Sequence, residues 1–215
     1  MAQIFPSWTN RLPLAVTLAF LSGVVLLVFL VWYYFSPWYT DVGYRPVQPV
    51  PFSHKFHAGE LGLDCRYCHV GVEISSVAMV PPTKTCMNCH TLIKPESELL
   101  APVRESWETG LPMQWIRIHE VPDYAYFNHS PHIQAGVGCF SCHGNIAGME
   151  VVELNKPLSM GWCLDCHRNP AGHLRPLAEI TNMDWEAPLD QRELAKEWIA
   201  VKSIDPPLNC SGCHR

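Results

Sequence analysis

Hydrophobic positions are unevenly spread along this chain. From Leu12 to Phe35 no residue carries a charge, and a helix over that run would extend about 36 Å at about 1.5 Å per residue. That crosses a hydrocarbon core of about 30 Å with some tilt. A cleaved signal peptide would show a shorter apolar stretch and a small-residue cleavage site, so the run reads as an uncleaved anchor over 12–35. Trp8 on one side, and Trp32, Tyr33, Tyr34, Trp38 and Tyr39 on the other, form aromatic belts at the two interfaces. Residues 1–11 are then cytoplasmic, and 36–51 are a linker containing Arg45-Pro46-Val47-Gln48-Pro49-Val50-Pro51. Beyond it, helical periodicity is clear only from about Leu189 to Ser203, through Leu194, Trp198, Ile199 and Val201, with Pro206-Pro207 as the expected stop. The 19 prolines and 13 glycines indicate loops elsewhere.

Cysteine changes this picture. Cys-x-x-Cys-His occurs as Cys65/Cys68/His69, Cys86/Cys89/His90, Cys139/Cys142/His143, Cys163/Cys166/His167 and Cys210/Cys213/His214, using all ten cysteines. Two thiols at this spacing can each take one vinyl group of a haem, and the turn presents the next residue to the iron as a neutral imidazole. A zinc ribbon or thioredoxin-like element would not demand the histidine five times. Disulfides would not explain it either. The expectation is five covalent c-type haems, ligated by His69, His90, His143, His167 and His214. Attachment of this kind takes place outside the cytoplasm, so the haem domain should lie on the periplasmic side of the inner membrane.

A repeat supplies further ligands. Phe52-Ser53-His54-Lys55-Phe56-His57 and Phe127-Asn128-His129-Ser130-Pro131-His132 are offset by 75 residues, and the haem motifs that follow by 74 and 77. A two-haem module is thus duplicated, over 52–118 and 119–180, with 181–215 holding the fifth motif. A histidine pair cannot serve one iron from one side, so His54, His57, His129 and His132 are expected as distal ligands of two neighbouring irons in each module. For the fifth iron His119, Met160, Met149 and Met79 stay open, and thioether ligation would raise that haem's potential. His173 reads as an ordinary loop histidine.

The expected fold is a multihaem cytochrome c, one transmembrane helix followed by a loop-rich, mostly α domain wrapped around its haems. Without Arg11 the formal charge of −5 becomes −6. This disfavours nucleic acid and anionic membrane surfaces as partners, and no phosphate-binding loop is present.

Val80-Pro81-Pro82-Thr83-Lys84-Thr85-Cys86-Met87-Asn88-Cys89-His90 and Pro157-Leu158-Ser159-Met160-Gly161-Trp162-Cys163-Leu164-Asp165-Cys166-His167-Arg168, with the single span and the Phe-x-His-x-x-His segments, resemble the pentahaem membrane-anchored subunit of bacterial alternative complex III. The resemblance covers nearly the whole chain. It implies an electron carrier without chemistry of its own inside a quinol oxidoreductase. Its implied partners are an iron–sulfur subunit, integral membrane subunits, a monohaem cytochrome and a periplasmic acceptor: cytochrome c, blue copper protein or terminal oxidase. Two competing readings are a reductase with one open haem and a stand-alone quinol dehydrogenase anchor. Such reductases often replace a motif histidine by lysine, and none is replaced here. The anchor type typically has four haems and a methionine three residues beyond the first motif, where this chain has Val70-Gly71-Val72.

Overall fold

A computed structural model describes residues 4–214. The chain divides into two compact units, Met1–Asp41 and Val42–Arg215. In the first, a 3-10 turn over Ser7–Arg11 leads into α1, Leu12–Tyr34. Pro13 fits at the start of α1 because the first helical amides have no intrahelical partner. No α1 residue is buried, and the helix is long and apolar enough to cross a membrane. After α2, Pro37–Thr40, the Tyr39 ring packs against those of Tyr33 and Tyr34 at 5.5 and 4.7 Å.

Among the described residues the second unit has short helices and no strand, only the isolated bridges Ala125 to His214 and Val137 to Leu174. Its helices are α3 Cys65–Cys68, α4 Thr83–His90, α5 Ala101–Thr109, α6 His129–Ala135, α7 Cys139–His143, α8 Met160–Arg168, α9 Gln191–Lys202 and α10 Cys210–Cys213. A π-helical segment covers Lys55–Glu60. Side-chain caps start several of them: Asp64 accepts from the Arg66 amide, Asn128 from Ser130, Ser159 from Trp162 and Asn209 from Gly212. Each supplies an acceptor that a first helical turn lacks. α9 stops earlier than Pro206-Pro207 would require. Ser203 adopts a left-handed conformation at φ 52°, and the Ile204 amide closes onto the Ile199 carbonyl.

The buried apolar residues of this unit are few: Val50, Val103, Ile133, Leu154, Leu174, Ile180 and Ala195. Side chains alone give a thin core for a domain of this length.

Candidate functional site

All five Cys-x-x-Cys-His sequences form a helical turn, on α3, α4, α7, α8 and α10. None of the ten cysteines is in a disulfide, and no group of three or more His, Cys, Asp or Glu that could hold a metal ion occurs among the described residues. A tetrahedral zinc site needs four such ligands. Paired imidazoles are what the fold builds.

Four histidines of the repeat each meet the histidine of a motif. The ring centres of His54 and His69 are 6.4 Å apart and parallel within 1°, and those of His129 and His143 are 6.5 Å apart within 4°. His57 and His90 stand 6.3 Å apart, and His132 and His167 6.1 Å. A metal ion bonded to one nitrogen of each ring at about 2 Å holds ring centres about 6 Å apart, so these residues fit a bis-imidazole haem iron.

Hydrogen bonds orient the rings. Nδ1–H donates to a backbone carbonyl in seven histidines: His57 to Ser53 (2.8 Å), His69 to Met79 (2.6 Å), His90 to Ile93 (2.9 Å), His129 to Ser76 (2.8 Å), His132 to Asn128 (2.7 Å), His167 to Pro207 (2.8 Å) and His214 to Tyr124 (3.0 Å). Such a bond fixes the tautomer and leaves the Nε2 lone pair free for a metal. Phe52 adds packing, edge-on to His54 at 4.9 Å and stacked on His57 at 4.4 Å. Its repeat-mate Phe127 holds His129 and His132, each at 4.7 Å.

The modules interlock. The amides of His129 and Ser130 donate to the carbonyls of Ser76 and Ser75, in the loop after the first motif. In return the Lys55 amide donates to Met149, in the loop after the third motif. Cys65 and Cys139, first cysteines of those two motifs, are close enough to perturb each other, which lowers the pKa of Cys65 and raises that of Cys139.

The candidates for the fifth distal position are dispersed. The His119 ring packs edge-on against His143 at 4.3 Å. His119 Nε2, His54 Nδ1 and His143 Nδ1 are all buried without a hydrogen-bond partner. Burial, followed by neighbouring imidazoles, lowers His54 and His119 to about 4 and His143 to about 3, so all three are neutral near pH 7. The Met79 side chain lies against Gly71 and the Met79 carbonyl serves His69. Met149 occupies the module junction. Met160 opens α8 with its side chain 66 % exposed. Beside His214 packs the ring of Tyr124, at 5.8 Å, on the Nδ1 side. His173 follows the Pro170–Gly172 turn and joins none of the imidazole pairs.

Sequence reasoning did not foresee the carbonyls that bind Nδ1, or Arg175. Arg175 is 6 % exposed, lies 4.6 Å over the Trp185 ring and stands where a Cβ on Gly138 would go, directly before Cys139.

No protein-family model matches the chain. Over 173 residues, 70 % of this chain and 80 % of the relative, it is 28 % identical to the menaquinone reductase multihaem cytochrome c subunit of Nitratidesulfovibrio vulgaris strain Hildenborough.

Proposed function

We propose that this chain is the electron-relay subunit of a membrane quinol oxidoreductase, binding five c-type haems through its ten motif cysteines. The observation that carries this reading is the set of four imidazole pairs with ring centres 6.1 to 6.5 Å apart. His69, His90, His143 and His167 are then proximal ligands, and His54, His57, His129 and His132 distal ones. His214 is proximal to the fifth iron. Haem supplies one-electron exchange between ferric and ferrous iron; the chain attaches it, holds both imidazoles neutral and fixes their orientation.

Membership of a complex is supported by the relative, a subunit of a menaquinone reductase, and by the apolar helix α1. The motif segments favour the alternative complex III type. An iron–sulfur subunit and integral membrane subunits would then stand on the donor side, with a periplasmic cytochrome, copper protein or oxidase as acceptor. The chain itself catalyses no bond change. Its haem domain is periplasmic and α1 is its single span.

For the fifth iron we assign Met160, because His119 is engaged at His143 and Met79 and Met149 are held elsewhere. α8, which begins at Met160, also carries His167, whose Nδ1–H donates to the carbonyl of Pro207, three residues before the fifth motif.

The test is intact mass of the purified holoprotein with near-infrared magnetic circular dichroism and carbon monoxide addition. Five covalent haems, four bis-His and one His/Met, all refusing carbon monoxide, are expected. Fewer haems, or a high-spin haem that binds carbon monoxide, would overturn the reading.

A further inference from the structure

The five motifs do not lie in space in the order in which they lie in sequence. On the five-haem reading above, we infer that the attachment sites form a row in the order second, first, third, fourth, fifth, with Cys86–His90 and Cys210–His214 at its two ends.

The centre of the row is a pseudo-twofold contact. Lys55 is matched by Ser130 in the repeat, and Met149 by Ser75. The bond from Lys55 to Met149 (3.0 Å) and the bond from Ser130 to Ser75 (3.2 Å) are therefore one contact made in both directions. The same holds one turn further along. Gly59 approaches the Ala147 carbonyl, and their repeat-mates Gln134 and Glu73 are joined by a side-chain hydrogen bond of 3.3 Å. An isologous contact places equivalent residues opposite each other. Cys65 and Cys139, equivalent at an offset of 74, open the two motifs whose following loops make this contact. The first and third sites are thus neighbours across the pseudo-axis.

The second and fourth sites lie outside this central pair. Asn88, inside the second motif, donates to the Tyr67 hydroxyl inside the first (3.2 Å). On the other side α6 joins the third and fourth motifs, its His129 paired with His143 and its His132 with His167. His57 and His132, which serve these outer sites, stand one helical turn from His54 and His129, which serve the inner ones.

The fifth site extends the row on one side only. His167 of the fourth motif donates to the carbonyl of Pro207, three residues before Cys210 (2.8 Å). Among the described residues no sixth Cys-x-x-Cys-His turn stands beyond the second motif. An external donor and an external acceptor then meet the chain at its second and fifth motifs.

The test is a holoprotein structure with each iron assigned through its cysteines, together with intact mass. The iron between His54 and His69 should have the iron between His129 and His143 as its neighbour across the pseudo-axis. The irons of the second and fifth motifs should be the farthest apart. Five haems by mass with neighbours in sequence order would overturn the row and leave the relay reading standing. Fewer than five haems would defeat the relay reading itself. Redox-titrated electron paramagnetic resonance of the same sample gives a second measure: the near-parallel imidazole pairs of the two central sites should show mutual magnetic coupling, and its absence would sink the central contact.

Discussion

The backbone amide of Lys55 donates to the carbonyl of Met149 over 3.0 Å, joining the histidine-bearing segment of one module to the loop behind the haem motif of the other. Ser130 and Ser75 return the bond at 3.2 Å. Neither module is therefore complete alone. His129 is held by the partner half directly, its amide and Nδ1–H both donating to the Ser76 carbonyl, and His54 through its neighbour Lys55, so the geometry of the two central imidazole pairs depends on this junction.

Gly59 is the tightest point of the junction. A Cβ there would meet the Ala147 carbonyl oxygen, a backbone atom that cannot swing aside. Gly59→Ala should push the halves apart at a cost of about 1–3 kcal/mol, as other overpacked sites do. At the matching position, Gln134→Ala removes only an exposed hydrogen bond to Glu73 and should cost about 0.5 kcal/mol. Thermal unfolding of the two holoprotein variants checks the ranking, and a neutral Gly59→Ala would refute it.

Asp64 links the first haem motif to acid stability. Hydrogen bonds from the Arg66 side chain, chiefly, hold its carboxylate at about 2, and Thr181 adds another. A carboxylate with a folded value below its unfolded value of about 3.9 contributes stability above that value and loses it as pH falls toward about 2. The side chain is 42 % exposed, so solvent screens part of the gain. Asp64→Asn keeps a capping side chain for α3 and removes the charge. Its unfolding temperature should depend less on pH between about 4 and 2 than that of the parent. Asp64→Ala should lose the cap as well, about 1 kcal/mol at neutral pH.

The helical turns of the motifs and the pairing of their histidines were legible in sequence because the pattern is local. A thiol, two residues, a thiol and an imidazole set the chemistry within one helical turn, and the 75-residue repeat of Phe52-x-His54-x-x-His57 exposed the second set of imidazoles. The rest depends on contacts between distant segments. The carbonyls that orient His129 and His167 belong to Ser76 and Pro207, 53 and 40 residues away, and the backbone has no side-chain identity to reveal them. Counting histidines left His119 as one of four candidates for a fifth iron, and its place against the His143 ring had no signal in sequence. The end of α9 near Ser203 was legible, but its stop was read from the wrong residues, since the serine at φ 52° ends the helix before the prolines can.

Met160 is exposed and makes no packing commitment that would explain it. If its thioether is the sixth ligand of the fifth iron, Met160→Leu should abolish the His/Met signature in near-infrared magnetic circular dichroism and leave four bis-His signals unchanged. Met160→His should convert that haem to bis-His and lower its potential, because thioether ligation raises it. Persistence of the His/Met signal in Met160→Leu would return the assignment to the other methionines.

Arg175 places a buried positive charge beside the third motif. Its guanidinium donates to the carbonyls of Glu179 (3.3 Å) and Asn182 (2.8 Å), its Nε has no partner, and no ion pair among the described residues includes it. Its side chain lies against Gly138, directly before Cys139. A charge screened poorly by water acts strongly on a neighbouring redox centre, and a positive one favours the reduced state, which carries one positive charge fewer. Arg175→Gln should therefore lower the midpoint potential of one haem and leave the potentials remote from the third motif in place. Arg175→Lys keeps the charge but loses the planar stack on Trp185, so it should destabilise the fold without the same fall in potential. Spectroelectrochemical titration of both variants separates charge from packing. If Arg175→Lys lowers the potential as far as Arg175→Gln does, the effect comes through packing around Gly138 and Cys139, and the electrostatic role of Arg175 is wrong.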